Sequence, residues 1–270
     1  MVPMDVLPSR PASALNSQAP WDSFDSLAYY KHNYRTLRED DRQILAAVRD
    51  HFGAHFERRR GRALRGLDVG AGTNLYPALA MLPWCAEITL FERAAGNVAW
   101  LRNEVGGNEA GGGNGTGYGE NWDEFWRVLA VHPSYRELDD PRGALRAAAR
   151  VQQGDLFTDL PEQPFDIGTM FFVAESLSTA HEEFEGAVDK FARALRPGAP
   201  FAVAFMENSI GYEVGELVFP ACKIVTNDVL ESLLRHAADD LTVRRFEVPA
   251  AERLRDGYTG MLLALGRLKA

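Results

Sequence analysis

The stretch ALRGLDVGAGTNLY, residues 63–76, constrains this chain more than any other. It reads as a short buried strand over 64–69, a tight turn made of Gly70, Ala71 and Gly72, and the start of a helix. Open α/β sheets use this order to bring backbone close to a nucleotide-like ligand. Glycine is needed where a side chain would block the approach. A dinucleotide fold asks for G-x-G-x-x-G, with a pyrophosphate held on the helix N–H groups. Here Leu75 stands at the third glycine position, and Asp68 ends the strand just before the turn. A nicotinamide dehydrogenase is therefore the least favoured reading. A glycine turn with no ligand stays open as the plain alternative.

Composition bounds the rest. The 270 residues make one large domain, or one domain with decorations. A net charge of −9 argues against a nucleic-acid surface, because the only basic run (Arg58, Arg59 and Arg60, with Arg62 and Arg65) is short. Cys85 and Cys222 give neither metal spacing nor a disulfide framework, which fits a reducing cytoplasm. No stretch approaches the 18 or so apolar residues of a membrane span, and no charged start precedes an apolar run. The expectation is a monomeric cytoplasmic protein with a small-molecule partner and neither membrane nor nucleic acid.

Residues 1–20, rich in Pro, Ser and Ala, read as a disordered tail, and 21–270 as a single domain. Within it, 21–60 is expected to be a helical lid. Tyr29, Tyr30 and Tyr34 lie in its aromatic first part, where a ligand cover and plain core packing are equally good readings. Residues 39–59 form an amphipathic helix with Leu45, Val48, Phe52 and Phe56 on one face. A second strand over 86–91 ends at Glu92, about twenty residues past the glycines. A carboxylate there can accept from both hydroxyls of a ribose. Asn97 opens the next helix. Residues 106–119 hold eight glycines but follow a helix and carry no lysine, so they read as a flexible insertion and not a phosphate loop. A helical stretch over 120–150 comes next. A third strand over 151–156 ends at Asp155, placed to accept from an adenine amino group. A fourth, over 165–173, is nearly all apolar and runs into Glu175. A fifth ends at Glu207. Residues 208–226 are hairpin-like and carry Ser209 and Tyr212. The last two strands, 241–248 and 260–268, pair antiparallel. The sum is an α/β, Rossmann-like fold: a mostly parallel seven-stranded sheet with one antiparallel strand and helices on both faces.

These residues carry a family likeness over roughly 21–268. The D-x-G-x-G form at Asp68–Gly72 resembles motif I of class I S-adenosylmethionine (SAM) methyltransferases. More narrowly, the chain is similar to the nicotinamide, phenylethanolamine and indolethylamine N-methyltransferases. Four segments carry this: Phe24, Tyr29 and Tyr34 in F-x(4)-Y-x(4)-Y; Asp68 to Tyr76; Leu195-Arg196-Pro197-Gly198; and Tyr212 with Gly215-Glu216. The resemblance implies SAM as cofactor, with Tyr29 and Tyr34 closing over it. Gly70, Ala71, Gly72 and Tyr76 would line its methionine portion. Glu92 would take the ribose with Asn97 close by, and Asp155 and Leu156 would lie beside adenine. Glu175 and Glu207 would face a small amine or N-heterocycle, with Tyr29, Ser209 and Tyr212 in the same pocket, and no metal is implied. The acceptor-side acids are glutamates where aspartates are usual in the nicotinamide enzyme, and Phe219-Pro220-Ala221 replaces a serine-rich patch, so the substrate is less fixed than the chemistry. The alternatives are a SAM cyclase or lyase releasing methylthioadenosine, and a non-catalytic binding protein on the same fold.

Overall fold

Strands β1 (Leu64–Val69), β2 (Cys85–Glu92), β3 (Ala149–Gln153), β4 (Ile167–Phe171) and β5 (Pro200–Glu207) lie parallel in the computed structural model. A small hairpin of β6 (Tyr212–Val214) and β7 (Leu217–Phe219) follows outside the main sheet. Then come β8 (Thr242–Glu247) and β9 (Gly260–Arg267). Strand β9 runs antiparallel to both neighbours, closing a seven-stranded sheet of order β3-β2-β1-β4-β5-β9-β8. The structure describes residues 15–59, 61–106, 118–161, 164–255 and 257–270. Part of the expected tail (1–14) and most of the glycine-rich insertion (107–117) lie outside them.

The central strands are buried because both faces are covered. Along β5, Phe201, Val203 and Phe205 enter one apolar cluster and Ala202, Ala204 and Met206 the other, as the two-residue period of a strand requires. The helices supply the cover. In chain order they are α1 (Ser26–Asn33), α2 (Glu39–His55), α3 (Tyr76–Met81), α4 (Ala95–Gly106), α5 (Trp122–Leu129), α6 (Pro133–Arg136), α7 (Pro141–Ala148), α8 (His181–Arg193) and α9 (Thr226–Leu234). The expected helical stretch over 120–150 is thus three short helices. Pro133 and Pro141 each start a new one, where a missing N–H costs nothing. Among the described residues, no helix is long and apolar enough to cross a membrane.

Four sequence expectations change in position. Strand β3 ends at Gln153, so Asp155 sits in the following turn. Residues 15–20 are ordered in place: Asn16–Gln18 forms a 3-10 turn, and the Asn16 backbone N–H donates to Glu183 at 2.8 Å. Of the expected lid, only the part before α2 borders the cleft at the carboxyl ends of the parallel strands. The amphipathic face of α2 instead buries Ile44, Leu45, Val48 and Phe52 in the core. Tyr76 is also core. It stacks on Phe125 (ring centroids 5.5 Å apart), and its hydroxyl donates to Asp41 Oδ1 at 3.0 Å. Asp41, in the first turn of α2, is itself buried.

The corner beyond β1 is built on Trp84, which meets Phe56, Tyr135 and Phe52 with ring centroids 5.0, 5.3 and 6.5 Å apart. Replacing Trp84 with Ala leaves a large cavity there, and chemical denaturation should show a loss of about 3–5 kcal/mol. Asp41 gives a pH prediction. Burial, with Asp40 beside it, raises its carboxyl to about 7. The folded state therefore keeps a proton that the unfolded chain releases near pH 4, so this residue's contribution to stability is full below that value and lost as pH rises to about 7. Melting temperature should fall by a few degrees across that window, and Asp41→Asn, which still accepts from Tyr76, should remove part of the slope.

Candidate active site

Gly70 places the site. Its φ of +64° is one an L side chain rarely adopts, and a Cβ there would stand 2.4 Å from Val173 Cγ2. The first turn residue after β1 thus lies directly against the segment leaving β4. Both strands end at one side of the sheet, where a crevice forms at the reversal of strand order. That crevice is a cleft of about 850 Å³ of non-atom space, including its open mouth, a size that suits a small ligand. Gly72 (φ +57°) borders it, and a Cβ there would meet nothing nearer than 3.7 Å. Phe172, at the exit of β4, also borders it and holds φ +60° without being glycine, with its N–H donating to Ala204 at 2.7 Å. A conformation of that kind costs roughly 1–3 kcal/mol and needs its surroundings to hold it.

The cleft is lined by polar groups without partners. Asp68 Oδ1 accepts from Thr169 Oγ1 at 2.7 Å, while Oδ2 is buried and unbonded. Burial raises this carboxyl to about 8, against the pull of the Thr169 hydrogen bond. Thr73 Oγ1, Asn74 Nδ2 and Asn97 Oδ1 are likewise buried without a hydrogen bond, and all four residues line the cleft. A buried polar atom left unpaired costs roughly 1–3 kcal/mol, so four on one cleft point to a ligand that pairs them. Glu92 is held ready at its rim. Its Oε2 accepts from the Gly72 N–H at 2.9 Å, and its Oε1 from the Ala94 N–H at 2.7 Å and from Asn97 Nδ2 at 3.4 Å. Burial raises its pKa in spite of these bonds.

The structure brings most of the expected cofactor residues together. Tyr29, Tyr34, Gly70, Ala71, Gly72, Glu92, Asn97 and Leu156 all line the cleft, and Tyr76 stands behind it in the core. Asp155 does not itself line the cleft but holds two residues that do: it pairs with Arg93 and accepts from Asn16 Nδ2 at 3.3 Å, and it also caps the Phe157 N–H at 2.9 Å. The aromatic segment packs on itself and lines the cleft. Phe24, Tyr29 and Tyr34 pack in sequence at 5.1 and 6.1 Å, and Tyr29 meets Tyr212 at 6.2 Å, while all four border the cleft.

The acceptor-side expectations divide. Glu175 is buried beside the cleft without lining it. Its Oε1 accepts from the Met206 N–H at 3.0 Å and from Ser176 Oγ at 3.4 Å, and its Oε2 has no partner. Burial, outweighing these bonds, lifts it to about 7. Glu207 does not face the cleft. Its Oε2 accepts from Arg245 Nε at 2.8 Å and Thr259 Oγ1 at 2.6 Å, which ties β5 to the antiparallel end of the sheet. Ser209 is buried and does not line the cleft.

Thr73 and Asn74, inside the glycine segment, were not singled out by the sequence reading, and three residues outside that segment escaped it as well. Asn16 and Arg93 line the cleft at the Asp155 end. Arg255 donates to the Tyr29 hydroxyl at 3.0 Å and to Ser176 Oγ at 3.3 Å, and lies 4.1 Å from the centre of the Tyr212 ring. It comes from an irregular segment before β9, where no periodicity or motif marks it. Asn16 fell in an apparently structureless run, and Arg93 follows the acid that drew attention.

Comparison with known proteins gives the same architecture. The family described as "Methyltransferase domain" matches residues 108–203. No curated protein sequence matches the chain. Among solved structures, the N-methyltransferase NodS from Bradyrhizobium japonicum WM9, in complex with S-adenosylhomocysteine, superposes with a TM-score of 0.50 at 12% identity, over 90% of this chain and 99% of that one. A SAM-dependent methyltransferase from Methanosarcina mazei gives 0.51 at 13%, over 80% and 98%. An S-adenosylmethionine-dependent methyltransferase from Clostridium acetobutylicum gives 0.51 at 10%, over 90% and 97%. The chain therefore has the Rossmann-like methyltransferase fold and matches a methyltransferase domain over its third and fourth strands and the first half of its fifth.

Proposed function

We propose that this protein is a SAM-dependent methyltransferase that moves a methyl group to the nitrogen of a small amine or N-heterocycle. The observation that carries the cofactor is the set of four unpaired polar atoms, on Asp68, Thr73, Asn74 and Asn97, around a glycine turn open to the cleft. An amino-acid end offers both donors and acceptors to such a set, and an ammonium near Asp68 would favour its charged form. Glu92 still has lone pairs for a ribose diol, since each carboxylate oxygen can accept more than one bond. Leu156 and Phe91 give an apolar wall for adenine, and Asp155 would share its carboxylate between Arg93 and the adenine amino group.

Bound SAM supplies an electrophilic methyl on a sulfonium. The protein's part is to align the acceptor and exclude water, and the faces of Tyr29, Tyr34 and Tyr212 also favour a cation nearby. The acceptor nitrogen gains its C–N bond as the C–S bond breaks, and that bond's electrons stay on sulfur. With an amine acceptor, the proton left on nitrogen passes through the Ser176 hydroxyl to Glu175 Oε1, to which that hydroxyl donates, and the raised pKa of Glu175 suits a base. Glu207 serves the fold. The clustering of Phe24, Tyr29 and Tyr34 with Tyr212 also supports the narrower likeness to the nicotinamide, phenylethanolamine and indolethylamine enzymes. We place the protein, with its acidic net charge, in the cytoplasm as a monomer acting on small molecules.

The test is mass spectrometry of purified protein incubated with SAM and a panel of small amines and N-heterocycles. S-adenosylhomocysteine with a methylated amine is the expected product pair; methylthioadenosine would indicate a cyclase or lyase. With an acceptor in hand, Glu175→Gln should lower kcat about 10- to 100-fold at saturating substrate. Glu207→Gln should instead lower the melting temperature and leave kcat within about threefold.

A further inference from the structure

Two pockets share one wall in this protein. Tyr29 and Tyr212 border the cofactor cleft on one side and a second, wider pocket on the other. The second pocket also takes in His32, Arg253 and Arg255, with Glu213 as the one carboxylate among the described residues. Arg255 passes through that wall. One end of its guanidinium donates to Ser176 Oγ, whose residue lines the cofactor cleft, and the other to the Tyr29 hydroxyl. Its plane lies over the Tyr212 ring.

The charge balance at this point is unusual. Arg255 is half-buried and, among the described residues, makes no ion pair. Its neighbours in contact are a phenol, a serine hydroxyl and an aromatic face. Glu175, whose carboxyl burial raises to about 7, makes no hydrogen bond to it and accepts instead from the Met206 N–H and Ser176 Oγ. The other acid expected on this side, Glu207, is consumed by Arg245. A guanidinium drawn out of water calls for a counter-charge, and its planar fork matches a carboxylate in two parallel hydrogen bonds.

We infer that Arg255, with the Tyr29 hydroxyl and Ser176, forms a subsite for a carboxylate on the methyl acceptor, which selects amino acids or N-heterocyclic acids over the corresponding plain amines. The inference rests on the methyltransferase reading and names the substrate class of that site. The acceptor nitrogen then faces the cofactor cleft while its carboxylate displaces the Ser176 and Tyr29 hydroxyls from Arg255 or joins them. Occupancy of this subsite also fixes Tyr29 and Tyr212, the two rings that separate the pockets. An acid would thus be oriented by the residue that braces the wall, and a plain amine would leave that guanidinium without its counter-charge.

The test uses acceptor pairs that differ only in the carboxylate: tyrosine and tyramine, tryptophan and tryptamine, nicotinate and nicotinamide. Formation of S-adenosylhomocysteine is measured for each in wild type, Arg255→Gln and Arg255→Lys. The acid of at least one pair should exceed its partner about tenfold or more in kcat/KM, chiefly through KM. Arg255→Gln should abolish that preference, and Arg255→Lys should restore part of it. SAM affinity, measured separately by calorimetry, should stay within about threefold in both variants. A second arm is independent of turnover. Benzoate should raise the melting temperature of wild type in a saturable manner where benzylamine does not, and Arg255→Gln should erase the effect. The proposal is overturned by preference for the amines, by a carboxylate preference that survives in Arg255→Gln, or by benzoate leaving wild type unmoved. Failure to bind SAM while benzoate still binds through Arg255 would sink the methyltransferase reading and leave the carboxylate subsite standing.

Discussion

The approach of Gly70 to Val173 is the contact on which the rest of the site depends. Strand β1 can end hard against the exit of β4 only because no Cβ stands between them. That proximity lets one short turn present Gly70, Ala71 and Gly72 to a cleft whose opposite wall is Phe172 and Val173. It also buries Asp68 at the base, with Thr169 across the strand pair as its partner. Any side chain at Gly70 would push β4 away and open the floor of the cleft. The strained backbone of Phe172 lies on the same seam, so local cost and function share one place in the sheet.

Electrostatics divides the cleft into two ends with different needs. At the end of β1 and β2, the acids Asp68 and Glu92 are buried and raised in pKa, and four polar atoms wait for partners. At the end of β4 and β5, the expected pair of acids is reduced to one. Glu207 is paired with Arg245, and burial raises the Glu175 carboxyl, while a guanidinium occupies the wall. The first end suits a ligand that supplies hydrogen bonds to carboxylates. The second suits one that brings a negative charge.

Much of this was readable from residue order. The glycine turn, the acid twenty residues on and the apolar run of β4 each follow from short-range rules, and the fold followed from their sequence. The aromatic segment was visible as a tyrosine cluster, and in the structure Tyr29 and Tyr34 pack on each other while lining the cleft. What could not be read was which acids stay free. Asp155, Asp41 and Glu207 look alike as carboxylates at element ends, yet each is claimed by a partner distant in sequence: Arg93, Tyr76 and Arg245. Arg255 was invisible for the complementary reason. It lies in an irregular segment, and only the tertiary fold brings it to Tyr29, 226 positions away in sequence.

The central claim is that the unpaired polar atoms around the glycine turn form a SAM site. Isothermal titration of wild type and Glu92→Gln with S-adenosylhomocysteine tests it most directly. The account predicts one site per chain in the micromolar range or tighter, with affinity about tenfold or more weaker in the variant, since one charge-assisted bond to a ribose hydroxyl is worth roughly 1.5–3 kcal/mol. Absence of binding to wild type, or equal binding to a folded Glu92→Gln variant, would contradict it.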